Sequence, residues 1–352
     1  MTEPVQRVKS AASVPDPGRL AAYLGGRLPG AAAGVAVEPL GGGQSNPTYL
    51  LTAGGRRYAL RMKPGRAAEL LPSAHQIERE FRVLGALAGS GVPVPRVHLL
   101  CGDEDVVGRA FYVMDFVDGR VFQDPRLPEL APAERGALFA DMNRVLAGLH
   151  RLDYAALGLG DYGKPGDYLA RQIARWSKQY RASETEPIDS MDRLIAWLPT
   201  AIPADESTSL VHGDFRLDNL VIDAREPRIV AVLDWELSTL GSPLADFSYH
   251  CCVFHFPPGR HRGLAGVDVA ALGLPTEAAY VASYCARTGR TAIGDWDYYL
   301  AYNFFRMAAI VQGIRKRAEL GTAAAANALE FGRGARLLAD LGWERARRTG
   351  AR

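Results

Sequence analysis

Between Leu210 and Asp246 the sequence reads LVHGDFRLDNLVIDAREPRIVAVLDWELSTLGSPLAD. Apolar, β-branched runs at Leu210–Val211, Leu220–Ile222 and Ile229–Leu233 are interrupted by acidic residues that a buried strand would not tolerate without a task. A catalytic loop between short strands reads in this way. His212-Gly213-Asp214 is followed by Asn219, five residues after the aspartate, and by Asp234-Trp235-Glu236 at the close of the next strand. One carboxylate to orient a hydroxyl and accept its proton, with hard oxygen ligands for magnesium, is what phosphoryl transfer requires of a protein. Asp214 suits the base. Asn219 supplies a neutral amide oxygen and Asp234 a charged one, so magnesium can be held without gathering surplus negative charge beside ATP. Arg216, two residues beyond Asp214, is placed to point toward the transferring phosphate.

The interval from Asp214 to Asn219 is also that of the protein-kinase catalytic loop, H-R-D-x-x-x-x-N, and Asp234 stands where the D-F-G aspartate would follow. HGDFRLDN with VLDWE, completed by Pro243-Leu244-Ala245-Asp246, resembles the aminoglycoside phosphotransferase and choline kinase group. The likeness is closer still to the kinase-like domain of acyl-CoA dehydrogenase family members and its free-standing bacterial relatives. It covers nearly the whole chain, through AHQIEREF, GKPGDYLARQIARW and NFFRMAAIVQGIRKR. This resemblance implies an α+β, protein-kinase-like bilobal fold, with an N-lobe antiparallel sheet plus helix and a mostly helical C-lobe. It also implies ATP and Mg2+ as cofactors and the hydroxyl of a small molecule as acceptor.

The elements that must position these groups divide into a flexible arm over residues 1–17, a nucleotide-binding N-lobe over 18–117 and a C-lobe over 118–352. Val35-Ala36-Val37 begins a strand, and Thr48 to Thr52 resumes one. Between them lie Gly41, Gly42, Gly43, Ser45 and Asn46, where a glycine-rich backbone can cradle phosphates as a lid or simply turn a hairpin. Gly54–Gly55 marks a second hairpin. Arg57 to Lys63 alternates as a half-buried strand, with Tyr58, Leu60 and Met62 on one face and Arg57, Ala59, Arg61 and Lys63 on the other. Arg61 occupies the place of the V-A-I-K lysine, as in choline-kinase-like relatives, and can contact phosphate and carboxylate in a bidentate way. Lys63 competes for that role, but Pro64-Gly65 ends the strand beside it.

A helical stripe at Ile77, Phe81, Leu84 and Leu87 predicts a helix over 73–87 with Ser73 as its N-cap. By resemblance Glu80 on that helix pairs with Arg61, with Glu78 available as an alternative. Ala110 to Gly119 reads as a strand leading into the link between lobes, where the main chain of Asp115, Phe116 and Val117 would offer hydrogen bonds to adenine. Helices follow over Glu134–Leu152, Tyr168–Tyr180, Asp192–Leu198, Thr276–Thr288 and Asp295–Leu320. His150 reads as a packed histidine, and Asp246 as a support that accepts main-chain hydrogen bonds from the catalytic loop. The last helix is rich in aromatic residues, which points to core; an apolar acceptor pocket served by Arg306 and Arg315 is the other reading.

With 352 residues, 48% hydrophobic and 23% charged, the chain is an ordinary globular one. A net charge of +2 argues against nucleic acid or an acidic membrane as partner, and the basic stretch Arg345–Arg352 reads as a frayed helix end. The four cysteines form no C-x-x-C, and Cys251–Cys252 fits a core. The N-terminal text resembles neither a signal peptide nor a membrane span, which leaves the cytoplasm as the expected location. A hydroxyacyl-CoA or hydroxy acid is the first acceptor expected by resemblance, an aminoglycoside the second, and a catalytically idle nucleotide-binding scaffold the reading from another class.

Overall fold

In the computed structural model the described residues are 14–41, 46–64, 76–205, 207–259, 262–322 and 328–352. They form two compact units. The first comprises the residues up to Val121 together with Asp218–Leu237, and the second comprises Phe122–Leu217 with Ser238–Arg352.

In the first unit, helix α1 (Pro17–Leu24) precedes strands β1 (Val35–Leu40), β2 (Thr48–Ala53) and β3 (Arg56–Met62). Helix α2 (Ile77–Leu87) and strands β4 (Val97–Cys101) and β5 (Phe111–Asp115) follow. The strands form an antiparallel sheet in the order β1-β2-β3-β5-β4. Asp16 caps α1 by accepting from the Arg19 N–H at 2.8 Å, and Leu20 and Leu24 are fully buried. Each such leucine is worth roughly 1.5–3 kcal/mol of burial. They join Leu51, Tyr58, Leu60, Met62 and Phe111 in one core, so the alternation read in β3 sends its apolar face where expected. The opposite face is covered too, since Ala59 and Arg61 are also buried; β3 lies mid-sheet and is not the half-buried strand its pattern suggested.

Helix α2 begins at Ile77 with Gln76 at the N-cap, and Ser73 lies outside the described residues. Its buried residues are Ile77, Glu80, Val83, Leu84 and Leu87, whereas Phe81 is only half-buried against Tyr112. The inward face is thus rotated slightly from the expected stripe. That rotation carries Glu80 inside.

The segment 218–237 is a hairpin of two short strands, Leu220–Ile222 and Ile229–Val232. The sequence division at 117 left it in the C-lobe, but main-chain bonds tie it to the first unit. Arg120 and Ile222 exchange two, at 2.7 and 2.8 Å, and the Val232 N–H donates to the Pro93 carbonyl at 2.8 Å. Gly119 permits this approach. A Cβ there would stand 2.3 Å from the Ile222 carbonyl oxygen.

The second unit is mostly helical, with α3 (Pro132–His150), α4 (Tyr168–Ser183), α5 (Asp189–Trp197), α6 (Pro243–Cys251), α7 (Glu277–Thr288), α8 (Trp296–Glu319), α9 (Ala328–Gly332) and α10 (Ala335–Arg348). Ser209–Val211 and Thr239–Gly241 pair as a short antiparallel ladder on either side of the borrowed hairpin. Helix α8 buries Tyr298, Tyr299, Tyr302, Phe304 and Phe305, so its aromatic residues are core. The basic tail is not frayed: α10 buries Trp343 and Ala346, and Arg345 bonds Asp297 at 3.2 Å and His255 at 2.8 Å. All four cysteines are buried and unpaired. Among the described residues no helix is long and apolar enough to cross a membrane.

Candidate active site

Arg61 is the centre of the polar cluster in the first unit. Its Nε stands 2.7 Å from Glu80 Oε2, an ion pair of poor hydrogen-bond angle, and its Nη2 donates to Asp234 Oδ1 at 2.7 Å. Glu236 Oε2 lies 3.8 Å from the same Nη2. Burial alone would lower the Arg61 pKa, but Glu80, Asp234 and Glu236 hold it above its ordinary value. For Glu80 burial wins over Arg61, and its carboxyl is raised. Two neutral donors share that carboxylate, the Asn46 amide at 2.7 Å and the Tyr112 phenol at 3.0 Å. Lys63 instead pairs with Glu78 at 2.5 Å, where both side chains are more than a third exposed. Of the two candidate clamps, Arg61 is therefore the buried one, paired with the buried Glu80.

Asp234 itself adopts φ +66°, a left-handed conformation that costs a non-glycine residue roughly 1–2 kcal/mol. Such a cost recurs where a carboxylate must be aimed. The Leu233 N–H donates to the Asn219 carbonyl at 2.8 Å, which brings the two ends of the hairpin, and so Asn219 and Asp234, into register.

In the second unit the turn His212-Gly213-Asp214 is held by a buried carboxylate. Asp246, at the start of α6, accepts the His212 N–H on Oδ2 and the Gly213 N–H on Oδ1, each at 2.8 Å. Gly213 has φ +82°, the conformation that lets both N–H groups face one side chain. His150 Nε2 lies 3.1 Å from Asp246 Oδ2 and its Nδ1 lies 2.7 Å from the Tyr284 hydroxyl. Burial would raise the Asp246 pKa, but the bonds and charge of His150 and the His212 N–H outweigh it and hold the carboxyl low. His212 Nδ1 accepts from the Asp214 N–H at 3.2 Å.

The Asp214 side chain is 22% exposed, and its Oδ1 is met by the Tyr249 phenol at 2.5 Å and lies 3.6 Å from Arg216 Nε. Behind Tyr249, the Arg306 guanidinium sits 5.2 Å from the ring centroid and donates through Nη2 to the Gly213 carbonyl at 2.9 Å. Burial opposes its charge, and Tyr302, Tyr168, Tyr249 and Asp214 sustain it. One residue on, His250 stands 3.2 Å from the Phe215 carbonyl through Nδ1 and 2.8 Å from the Tyr280 hydroxyl through Nε2.

The structure thus gathers Arg61, Glu80, Asn46 and Asp234 in one unit, and Asp214 with Arg216 in the other. Asn46 is fully buried with its amide donating to Glu80, so that side chain supports the ion pair. Gly41 follows the end of β1, while Gly42, Gly43 and Ser45 lie outside the described residues. At the link, the Asp115 N–H donates to the Arg96 carbonyl at 2.8 Å and its carboxylate meets His98 at 2.6 Å. Phe116 stacks under Arg57 at 5.0 Å, and Val117 follows it in the chain. Arg306 and Arg315, read as acceptor contacts, are otherwise engaged, the latter with Glu186 at 2.6 Å and Glu319 at 3.0 Å. Tyr249 was missed in the sequence. Its signal was helical spacing, since it lies three residues, one turn, beyond the Asp246 that anchors the loop.

Comparison with known proteins supports this architecture. The Phosphotransferase enzyme family matches residues 36–287. Acyl-CoA dehydrogenase family member 10 of Mus musculus is 47% identical over 312 residues, 88% of this chain but 29% of the mouse protein. The chain therefore spans under a third of that relative's length. A crystal structure from Ralstonia eutropha JMP134, described provisionally as an aminoglycoside phosphotransferase, is 53% identical with a TM-score of 0.87, covering 94% of this chain and 98% of that one. Spectinomycin phosphotransferase, solved with ADP and spectinomycin, is 12% identical with a TM-score of 0.60 over 96% of this chain and 99% of its own, a likeness of fold alone. With its protein-kinase-like α+β fold, the chain belongs to the Phosphotransferase enzyme family.

Proposed function

We propose that the protein is an ATP- and magnesium-dependent kinase that transfers the γ-phosphoryl group to the hydroxyl of a small acceptor, first among them a hydroxyacyl-CoA or hydroxy acid. The observation that carries this reading is the buried Arg61 shared between Glu80 and Asp234, at 2.7 Å from each. It couples a cation suited to phosphate with a carboxylate suited to the metal. Asn219 and Asp234 fit magnesium as hard oxygen donors: the Asp234 side chain is 36% exposed, and two protein ligands leave other positions to water and phosphate oxygens. Bound there, magnesium would supply positive charge to offset the charge developing on the transferring group.

Asp214 orients the acceptor hydroxyl and takes its proton as the oxygen attacks phosphorus and ADP leaves. Arg216 meets charge on the transferring group. Arg61 grips the nucleotide phosphates, Glu80 keeps it in place, Gly41, Gly42, Gly43 and Ser45 close over them, and the main chain of Asp115, Phe116 and Val117 meets adenine. Arg216 and Arg306 are cations that bear on Asp214. The acyl-CoA named in the mouse relative favours a hydroxyacyl acceptor over an aminoglycoside.

The test is ADP release with ATP and magnesium across hydroxyacyl-CoAs, free hydroxy acids, aminoglycosides and choline, with Asp214→Asn as the blank. Stimulation by a hydroxyacyl-CoA or hydroxy acid, abolished by the substitution and by EDTA, is the expected result. Stimulation by aminoglycosides alone overturns the acceptor assignment, and ATP binding without turnover on any acceptor class points to an idle scaffold.

A further inference from the structure

Asp214 has a fixed main chain but a carboxylate on two rotatable bonds, at a partly exposed position. Packing alone does not fix such a group. The Tyr249 phenol reaches its Oδ1 at 2.5 Å, and since burial and the Asp214 charge raise the tyrosine's pKa well above its usual value, it stays protonated and donates. Helix α6 therefore acts on the loop twice along one face. Asp246 holds the peptide groups of His212 and Gly213, and Tyr249, one turn later, holds the side chain that follows.

Arg306 completes the arrangement from α8. It is 8% exposed, and among the described residues it makes no ion pair with a carboxylate. A buried cation without a direct counter-ion is expensive and persists where its field is used. Here it touches both supports of Asp214, the Gly213 carbonyl at 2.9 Å and the face of the Tyr249 ring at 5.2 Å.

We propose that Tyr249 is a positioning residue that holds the Asp214 carboxylate in one orientation through its phenolic proton, with Arg306 clamping the ring and the preceding carbonyl. The proposal rests on Asp214 being the base of the kinase reaction. It assigns to Tyr249 an effect on turnover and not on nucleotide binding.

Tyr249→Phe is the informative variant because it keeps the ring and its contact with Arg306. Loss of a hydrogen bond to a charged group predicts a fall in kcat of about 10- to 100-fold, with the ATP KM changed less than about twofold and the melting temperature within a few degrees. Arg306→Lys keeps the charge but loses the planar fork, so it should lower kcat by a similar factor without rescuing the geometry. Wild-type kcat in Tyr249→Phe overturns the proposal, as does a fall in kcat matched by a large loss of thermal stability. A crystal structure of Tyr249→Phe provides a readout apart from turnover: a rotated or disordered Asp214 carboxylate supports the proposal, and an unchanged one defeats it. Should the wild-type protein show no Asp214-dependent ADP release, the kinase reading fails, while the carboxylate's orientation in that variant still decides whether Tyr249 holds it.

Discussion

His250 sets an acid limit on the second unit. It is 6% exposed, its Nδ1 donates to the Phe215 carbonyl at 3.2 Å, and its Nε2 accepts from Tyr280 at 2.8 Å. A second proton on Nε2 would cost that acceptor and bury a charge. Burial pushes the ring's pKa down from 6.5 to about 4, against the Phe215 bond and the Asp246 charge, which favour protonation. Below pH 6.5 the unfolded chain takes up a proton that the folded chain refuses, so this contribution is full above pH 6.5 and is lost as pH falls toward 4. At 1.36 kcal/mol per pKa unit the loss is about 2 kcal/mol by pH 5 and about 3 kcal/mol by pH 4. Urea unfolding at pH 7, 6 and 5 measures it, with His250→Gln as reference, because glutamine can donate to Phe215 and accept from Tyr280 without titrating. The stability of the wild type should fall more steeply than that of the variant by about 2 kcal/mol between pH 7 and 5. Parallel curves would refute the buried neutral imidazole.

Two further substitutions probe the first unit. Gly119→Ala would set a Cβ 2.3 Å from the Ile222 carbonyl oxygen and 2.5 Å from Val221 Cγ1, so urea unfolding should show a loss of about 1–3 kcal/mol; a change under about 0.5 kcal/mol would mean the hairpin yields freely. Arg61→Lys cannot reproduce the separate contacts that Nε and Nη2 make with Glu80 and Asp234, and should raise the ATP KM about tenfold while Lys63→Met leaves it within about twofold. The reverse ranking would return the phosphate clamp to Lys63.

Much of this was legible because its signals are local. The alternation in β3, the Gly54–Gly55 hairpin and the apolar period of α2 each depend on neighbours within a few residues; the strands stand where the text put them, and α2 forms with a later start at Ile77. The Arg61–Glu80 pair was found through resemblance. Its third partner, Asp234, lies 173 residues along the chain from Arg61, and no periodicity reports such a meeting. The hairpin's attachment was illegible for a similar reason: its bonds to Pro93 and Arg120 are made by peptide groups, which every residue carries and no side chain advertises. The aromatic helix read as core, with Arg306 left open as an acceptor contact. The work of Arg306 is on Gly213 and Tyr249.

That the first unit takes in Asp218–Leu237 bears on how the chain is made. During synthesis the five-stranded sheet can assemble from the first 121 residues, yet the peptide groups of Pro93 and Arg120 must wait for about another hundred residues before Val232 and Ile222 emerge to meet them. A fragment cut at Val121 would leave those groups to water and Arg61 without Asp234. The first unit is therefore completed only once the chain has begun its helical unit, left it for twenty residues and returned.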